Sequence, residues 1–158
     1  MNWIEPTLVV AAVAAALNAG AFFAFSNFVM PALADLPSPE GAAAMQAINR
    51  FAPNPLFVAT IFGAGMLGIP ALLAEWGRWA DGSFRWLVAG VAMSVTSLLI
   101  TIVCNVPRND RLAAVDAAAP SSRPVWTDYV AGWTVWNTTR TLASTASVVA
   151  YVLAAASR

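Results

Sequence analysis

The chain has 158 residues, of which 59% are hydrophobic and only 10% charged, and its mean hydropathy is +0.68. A soluble domain carries about a quarter charged residues, so this composition excludes an ordinary soluble fold and predicts a single membrane domain over 1–158. Acidic and basic residues balance at eight each, with no lysine or basic run to neutralise phosphates, so nucleic acid is excluded as a partner.

Taken in chain order, the first apolar run covers 7–30, close to the ~20 residues that about 30 Å of hydrocarbon requires. Leu8 to Leu17 resembles the core of a signal peptide, but no positive charge precedes it and the run continues, so it is read as a helix that stays in the protein. Asn18, deep in this run, predicts an interhelical hydrogen bond. Ser38-Pro39-Glu40 has the order of N-cap, first-turn proline and first-turn acid. It predicts a short amphipathic helix of about ten residues carrying Met45, Gln46, Ile48 and Asn49.

Asn54-Pro55 caps and opens the second run, 55–74. Gly63, Gly65 and Gly68 fit the dinucleotide pattern G-x-G-x-x-G, but they lie in mid-run with no strand before them, so they predict close helix packing instead. Trp76 to Phe84 reads as a short polar connection. The third run, 86–106, carries Ser94, Ser97, Thr101 and Asn105 on one face, the first three read as packing contacts. Its lone Cys104 cannot form an internal disulfide. Pro107 is expected to end that helix, with Pro107-Arg108-Asn109-Asp110 forming a turn and Asp110 capping a brief helix over 111–118. Pro124 is expected to open the last helix, whose apolar part, 138–157, is the fourth crossing.

With four crossings, Asn27, Gln46, Asn49, Asn54, Asn105, Asn109, Asp110, Asn137 and Arg140 share one side of the membrane and both termini the other. On the last helix Trp126, Tyr129, Trp133, Trp136 with Asn137, and Arg140 recur at steps of three and four as one aromatic and polar stripe. Trp3, Trp76, Trp79, Trp86 and Trp126 are assigned to interfacial belts, as tryptophan usually is. Trp133 and Trp136 are in phase with Asn137 and Arg140, and either packing or substrate contact suits them. Arg140 near hydrocarbon either snorkels to headgroups or faces inward with partners among Asn105, Asn109, Asp110, Asp128 and Asn137, beneath the short amphipathic helix.

The absence of histidine removes the imidazole ligands of common haem, zinc, copper and non-haem iron sites and every Ser-His or Cys-His nucleophile pair. The carboxylates are scattered at loops and termini, against a di-iron centre, so no metal and no cofactor is expected.

The stretch Phe22-Phe23-Ala24-Phe25-Ser26-Asn27-Phe28-Val29-Met30-Pro31-Ala32-Leu33, followed by Ala44-Met45-Gln46-Ala47-Ile48-Asn49, Asn105-Val106-Pro107-Arg108-Asn109-Asp110, and Trp126, Tyr129, Trp133, Trp136-Asn137 and Arg140, resembles the anthrone oxygenase family of small membrane proteins. Arg108 departs from the pattern, where an aliphatic residue is frequent. The resemblance implies an all-α, integral-membrane four-helix bundle with a short amphipathic helix between its first two long helices. It also implies an enzyme that oxidises a lipophilic polycyclic aromatic of the anthrone type with O2 and no cofactor.

In that reading Arg140 is the fixed cation for an enolate or peroxide, Asn105, Asn109 and Asn137 are hydrogen-bond donors and Asp110 is the base. Trp133, Trp136, Tyr129, Phe25, Asn27, Met45 and Asn49 are assigned to substrate binding. The expected partners are the lipid bilayer and a lipophilic small molecule, with a homo-oligomer left open, and the expected location is a bacterial inner membrane. The competing reading is a non-catalytic membrane subunit or a lipid- or quinone-binding protein whose polar cluster is structural.

Overall fold

The computed structural model describes residues 3–158, which form five continuous helices and, among the described residues, no strand. They are α1 (Ile4–Asp35), α2 (Ser38–Phe51), α3 (Pro55–Ala74), α4 (Gly82–Ala113) and α5 (Ser122–Ala156). The all-α expectation holds. Three helices, α1, α3 and α4, are long and apolar enough to cross a membrane, with mean hydropathies of 2.2, 2.1 and 2.3. The sequence reading expected four apolar crossings, the fourth over 138–157. Helix α5 departs from that set because its buried face carries Asn137, Arg140, Thr141, Ser144 and Ser147, polar groups turned toward the other helices.

α5 packs along α1 and α4, and α3 packs along the same two helices, so the four long helices form a ring. One apolar cluster joins Ile4 and Leu8 at the start of α1 to Tyr151 and Ala154 at the end of α5, placing both ends of the described chain together. A second cluster joins Met30, Met45, Leu112, Trp126, Tyr129 and Trp133 at the opposite end. Asn49 and Asn109 lie there together, as alternating helices require. Large apolar side chains point outward all along, with Leu17, Met66 and Leu142 each more than half exposed, the pattern expected where lipid is the solvent.

Small residues let the ring close. The ring of Tyr151 sits where a Cβ at Gly90 would come within 2.8 Å of it and where a Cβ at Gly68 would overlap its hydroxyl. That hydroxyl donates to the Ala64 carbonyl at 2.7 Å. Ser94 and Ser97 bond Ser147 and Ser144 at 2.6 and 2.8 Å, and Asn18 donates to Thr60 O at 2.8 Å, so these polar residues are the interhelical contacts the sequence predicts. Asn54 caps α3 as expected, accepting from Phe57 N at 3.0 Å.

Six local expectations are corrected. Pro107 does not end α4, and Asp110 does not cap a new helix: the chain passes through a π-turn at Thr101–Asn105 and continues helically over Val106–Ala113. The same device occurs at Phe25–Val29, ahead of Pro31. A π-turn widens the hydrogen-bond ladder by one residue, which relieves the missing N–H and the ring clash that a proline brings to a helix interior. Ser38 starts α2 without a side-chain cap, and the helix runs 14 residues, longer than expected. Trp126 is not a belt residue: it is 3% exposed and stacked on Tyr129 with centroids 5.8 Å apart. α5 begins at Ser122, two residues before Pro124.

At the end holding both termini, the turn after α3 bends at Gly77, whose φ of +94° favours glycine. Beside it, buried Glu75 accepts from Arg158 at 2.8 and 2.6 Å and from Arg78 at 2.7 Å, clasping the last residue of α5's tail to the end of α3. The bond from Arg158 holds the Glu75 carboxyl below its ordinary 4.5, against the cost of burial. A depressed carboxyl pKa stabilises the fold above the ordinary value and loses that contribution as pH falls through the lowered one. Resistance to thermal unfolding in detergent should therefore fall as pH drops below about 4.5, and Glu75→Gln should remove part of that dependence. Gly90→Ala should lower unfolding free energy by about 2 kcal/mol in the same assay, because the added methyl overpacks against the Tyr151 ring.

Candidate active site

Helix α5 turns Arg140 inward, where it is 7% exposed. Nε and Nη2 donate to Asn137 Oδ1 at 3.0 and 2.8 Å, and Nη1 donates to Thr101 Oγ1 at 3.1 Å. The guanidinium carbon stands 3.8 Å from the centroid of Phe22 and 5.3 Å from that of Trp133, both within cation–π range. None of the salt bridges among the described residues involves Arg140. Its five N–H groups thus spend three on neutral oxygens of the protein, and two are left.

Asn137 is fixed by a second set of bonds. Its Nδ2 donates to Phe22 O at 2.6 Å and to Ser26 Oγ at 2.8 Å, which orients Oδ1 toward Arg140. Ser26 lies in the π-turn of α1 and Thr101 in the π-turn of α4, so both irregular turns serve this one arginine. Phe22 O there accepts from the Phe25 N–H as well as from Asn137.

Arg140 lies on a cleft of about 660 Å³, large enough for a planar aromatic ligand of three fused rings. Phe22, Phe25 and Trp133 line it beside Arg140 and Thr101, α2 covers it with Met45, Ile48 and Asn49, and Phe57, Val58 and Ile61 of α3 face Val106 and Asn109 of α4. Trp133 is packed between Tyr129, stacked at 5.9 Å, and Phe25, tilted at 5.7 Å. Its buried Nε1 has no hydrogen-bond partner within the protein. Tyr129 OH donates to Asn109 Oδ1 at 2.8 Å and accepts from Asn49 Nδ2 at 3.3 Å, tying α5, α4 and α2 together beside the cleft.

Of the residues singled out from sequence, Arg140, Asn109, Trp133, Phe25, Met45 and Asn49 line this one cleft. Asn137, Asn105 and Tyr129 support it: Asn105 donates to the backbone oxygen of Trp133 at 3.2 Å and is itself buried behind it. Asp110, Asn27 and Trp136 are not brought to it. Asp110 and Asn27 are exposed at the surface, and Asp128 pairs with Arg111 at 3.3 Å, so neither aspartate is a partner of Arg140. Trp136 is rotated about 60° from Trp133 at 100° per residue and lies in a separate outer groove.

Sequence reasoning took Thr101 for packing and passed over Phe22, Phe57 and Ile61. Thr101 stands one turn before Asn105 and Phe22 one helical step before Phe25, so their spacing carried the signal. Among the described residues no three His, Cys, Asp or Glu side chains come together as metal ligands.

Fold and site together define an all-helical protein, with three helices of membrane-spanning length and apolarity, built around a buried arginine beside an aromatic cleft. The chain belongs to the anthrone oxygenase family, whose model matches residues 4–150. No curated protein and no solved structure matches it.

Asn137→Ala should cost about 3 kcal/mol of stability, since it strips the buried guanidinium of its double acceptor and leaves Phe22 O and Ser26 without their donor. Denaturant or thermal unfolding in detergent measures this. Asn27→Ala, on an exposed side chain of the same end, should change stability by less than about 0.5 kcal/mol.

Proposed function

We propose that this protein is a membrane-embedded, cofactor-independent oxygenase that binds a lipophilic polycyclic aromatic of the anthrone type and oxidises it with O2. The observation that carries the reading is a buried arginine with no carboxylate partner, two remaining N–H groups, and a place on the wall of an aromatic cleft. A cation left so is suited to an anionic oxygen supplied by a ligand. All four long helices cross the bilayer in this reading, with the polar stripe of α5 turned inward, and the location is a bacterial inner membrane.

The chemistry asks little of the protein. An anthrone tautomerises to a phenol-like enol; Arg140 beside its oxygen favours loss of that proton, which leaves to water at the open side of the cleft. No carboxylate lines the cleft, so the role of base once assigned to Asp110 is dropped. The enolate passes one electron to O2, the resulting radical pair joins to form a C–O bond, the peroxide anion takes a proton back from water, and the hydroperoxide breaks its O–O and C–H bonds to lose water and give the quinone carbonyl. One O2 is consumed, a CH2 becomes C=O, and one water leaves. Phe22, Phe25 and Trp133 hold the rings, and the Trp133 indole N–H serves as a further donor to a ligand oxygen.

Arg140→Lys keeps the charge but loses the planar fork. Anthrone-dependent oxygen uptake should fall about a hundredfold in kcat/KM, with the melting temperature changed by only a few degrees. A large fall in melting temperature with uptake per folded molecule unchanged would instead favour a structural polar cluster in a non-catalytic protein.

A further inference from the structure

A second cavity, of about 700 Å³, lies outside the ring between the C-terminal turns of α4 and the first half of α5, and the oxidation reading makes no use of it. It is lined by Arg108, Arg111, Asp128, Gly132, Val135 and Trp136 among others. Arg108 is the residue that departs from the family pattern, and Trp136 is the member of the aromatic stripe that turns away from the cleft.

The groove is built around Arg108. Its Nη1 donates to Cys104 O at 2.6 Å, a carbonyl within the π-turn, and its guanidinium rests against Gly132, where an added Cβ would stand 3.0 Å from Nε. The missing side chain at Gly132 is thus what lets the arginine lie against α5, and one bond to the backbone leaves its other N–H groups available. Arg111 stands one turn further along, joined at 3.3 Å to Asp128, and both side chains are largely exposed. Two arginines against one aspartate give the groove a net positive charge.

Below these charges the surface changes to apolar. Val135, Leu142 and Val149 follow at steps of seven on α5 and are 63%, 67% and 52% exposed, an outward apolar row, with Thr139 and Ala146 between its members, leading from the groove toward the far end of the helix. Trp136 borders the groove where charge gives way to hydrocarbon surface, the level at which tryptophan meets glycerol and headgroup. A cationic cradle at the head of an outward row of apolar side chains matches one molecule with a charged head and long acyl chains.

We propose that this groove is a binding site for an anionic phospholipid, its phosphate held by Arg108 and Arg111 and one acyl chain lying along Val135, Leu142 and Val149. Basic pockets beside membrane helices take such headgroups, and each arginine near the phosphate contributes about fivefold in affinity. The site is separate from the Arg140 cleft.

The test uses the full chain in detergent, stripped of lipid, with phosphatidylglycerol, phosphatidylcholine or inorganic phosphate added and binding read as a rise in melting temperature. Phosphatidylglycerol should raise it in a saturable way, while phosphatidylcholine and phosphate at equal concentration should not. Arg108→Gln with Arg111→Gln should weaken phosphatidylglycerol about thirtyfold, whereas Arg123→Gln, an exposed arginine at the same end but outside the groove, should not weaken it. If the double variant does not fold, Arg111→Gln alone, on an exposed side chain, should weaken it about fivefold. Equal stabilisation by phosphatidylcholine, by phosphate alone, or of the arginine variants by phosphatidylglycerol would overturn the proposal.

Discussion

The pairing of Arg140 with a neutral amide is the interaction on which the rest of this end of the molecule depends. A guanidinium in a low-dielectric interior is costly unless it is hydrogen-bonded, and here two of its bonds end on one oxygen, Asn137 Oδ1. That oxygen is in place because the other end of the amide is held by Phe22 O and Ser26. The third bond, to Thr101, fixes the guanidinium from the side of α4. Three helices therefore meet at one cation, and none of them neutralises it. A carboxylate in the place of Asn137 would have formed a closed ion pair with little capacity for a further anion, whereas an amide orients the arginine and leaves its charge to act on what enters the cleft.

The irregular turns belong to the same arrangement. Each π-turn ends two residues before a proline, and each contributes a hydroxyl to the arginine or its amide, Ser26 from α1 and Thr101 from α4. An uninterrupted α-helix would present these hydroxyls at a different angle and would have to bend or stop at the proline. The cost of two irregular turns is met elsewhere, in the tight contact of Tyr151 with Gly68 and Gly90, the serine pairs of α4 and α5, and the Glu75–Arg158 clasp. The end where α1 begins and α5 finishes is held by these contacts. The end that carries the arginine holds the cleft, which passes between α3 and the second π-turn.

The two faces of α5 meet different surroundings. Its inner face carries Tyr129, Trp133, Asn137 and Arg140, and its outer face Gly132, Val135 and Leu142. Trp136 stands at the border and goes outward. A small rotation separates a residue that lines the cleft from one that faces outward, so placement on this helix follows from angle more than from residue type.

The sequence by itself determined that the chain is helical and apolar, where α2 and α3 begin, that Asn49 and Asn109 share an end, and that Asn105, Asn137 and Arg140 fall near one level. These follow from hydropathy and the helical repeat, which are local and additive along the chain. It also carried the family motifs that place Phe25, Met45 and Trp133 around that level. Only the tertiary structure decided that α5 is the inward-polar member of the ring, that Trp126 is buried, that Pro107 lies inside a continuous helix, and that Asp110 points away from Arg140. A proline reads as a stop because its cost to an α-helix is local; whether a π-turn absorbs it depends on the packing around the turn, here an arginine that bonds the Thr101 hydroxyl and an amide on another helix that bonds Phe22 O. The choice of Asn137 and Thr101 over Asp110 and Asp128 as partners was likewise set by helix rotation, a degree of freedom that packing fixes and residue spacing leaves open.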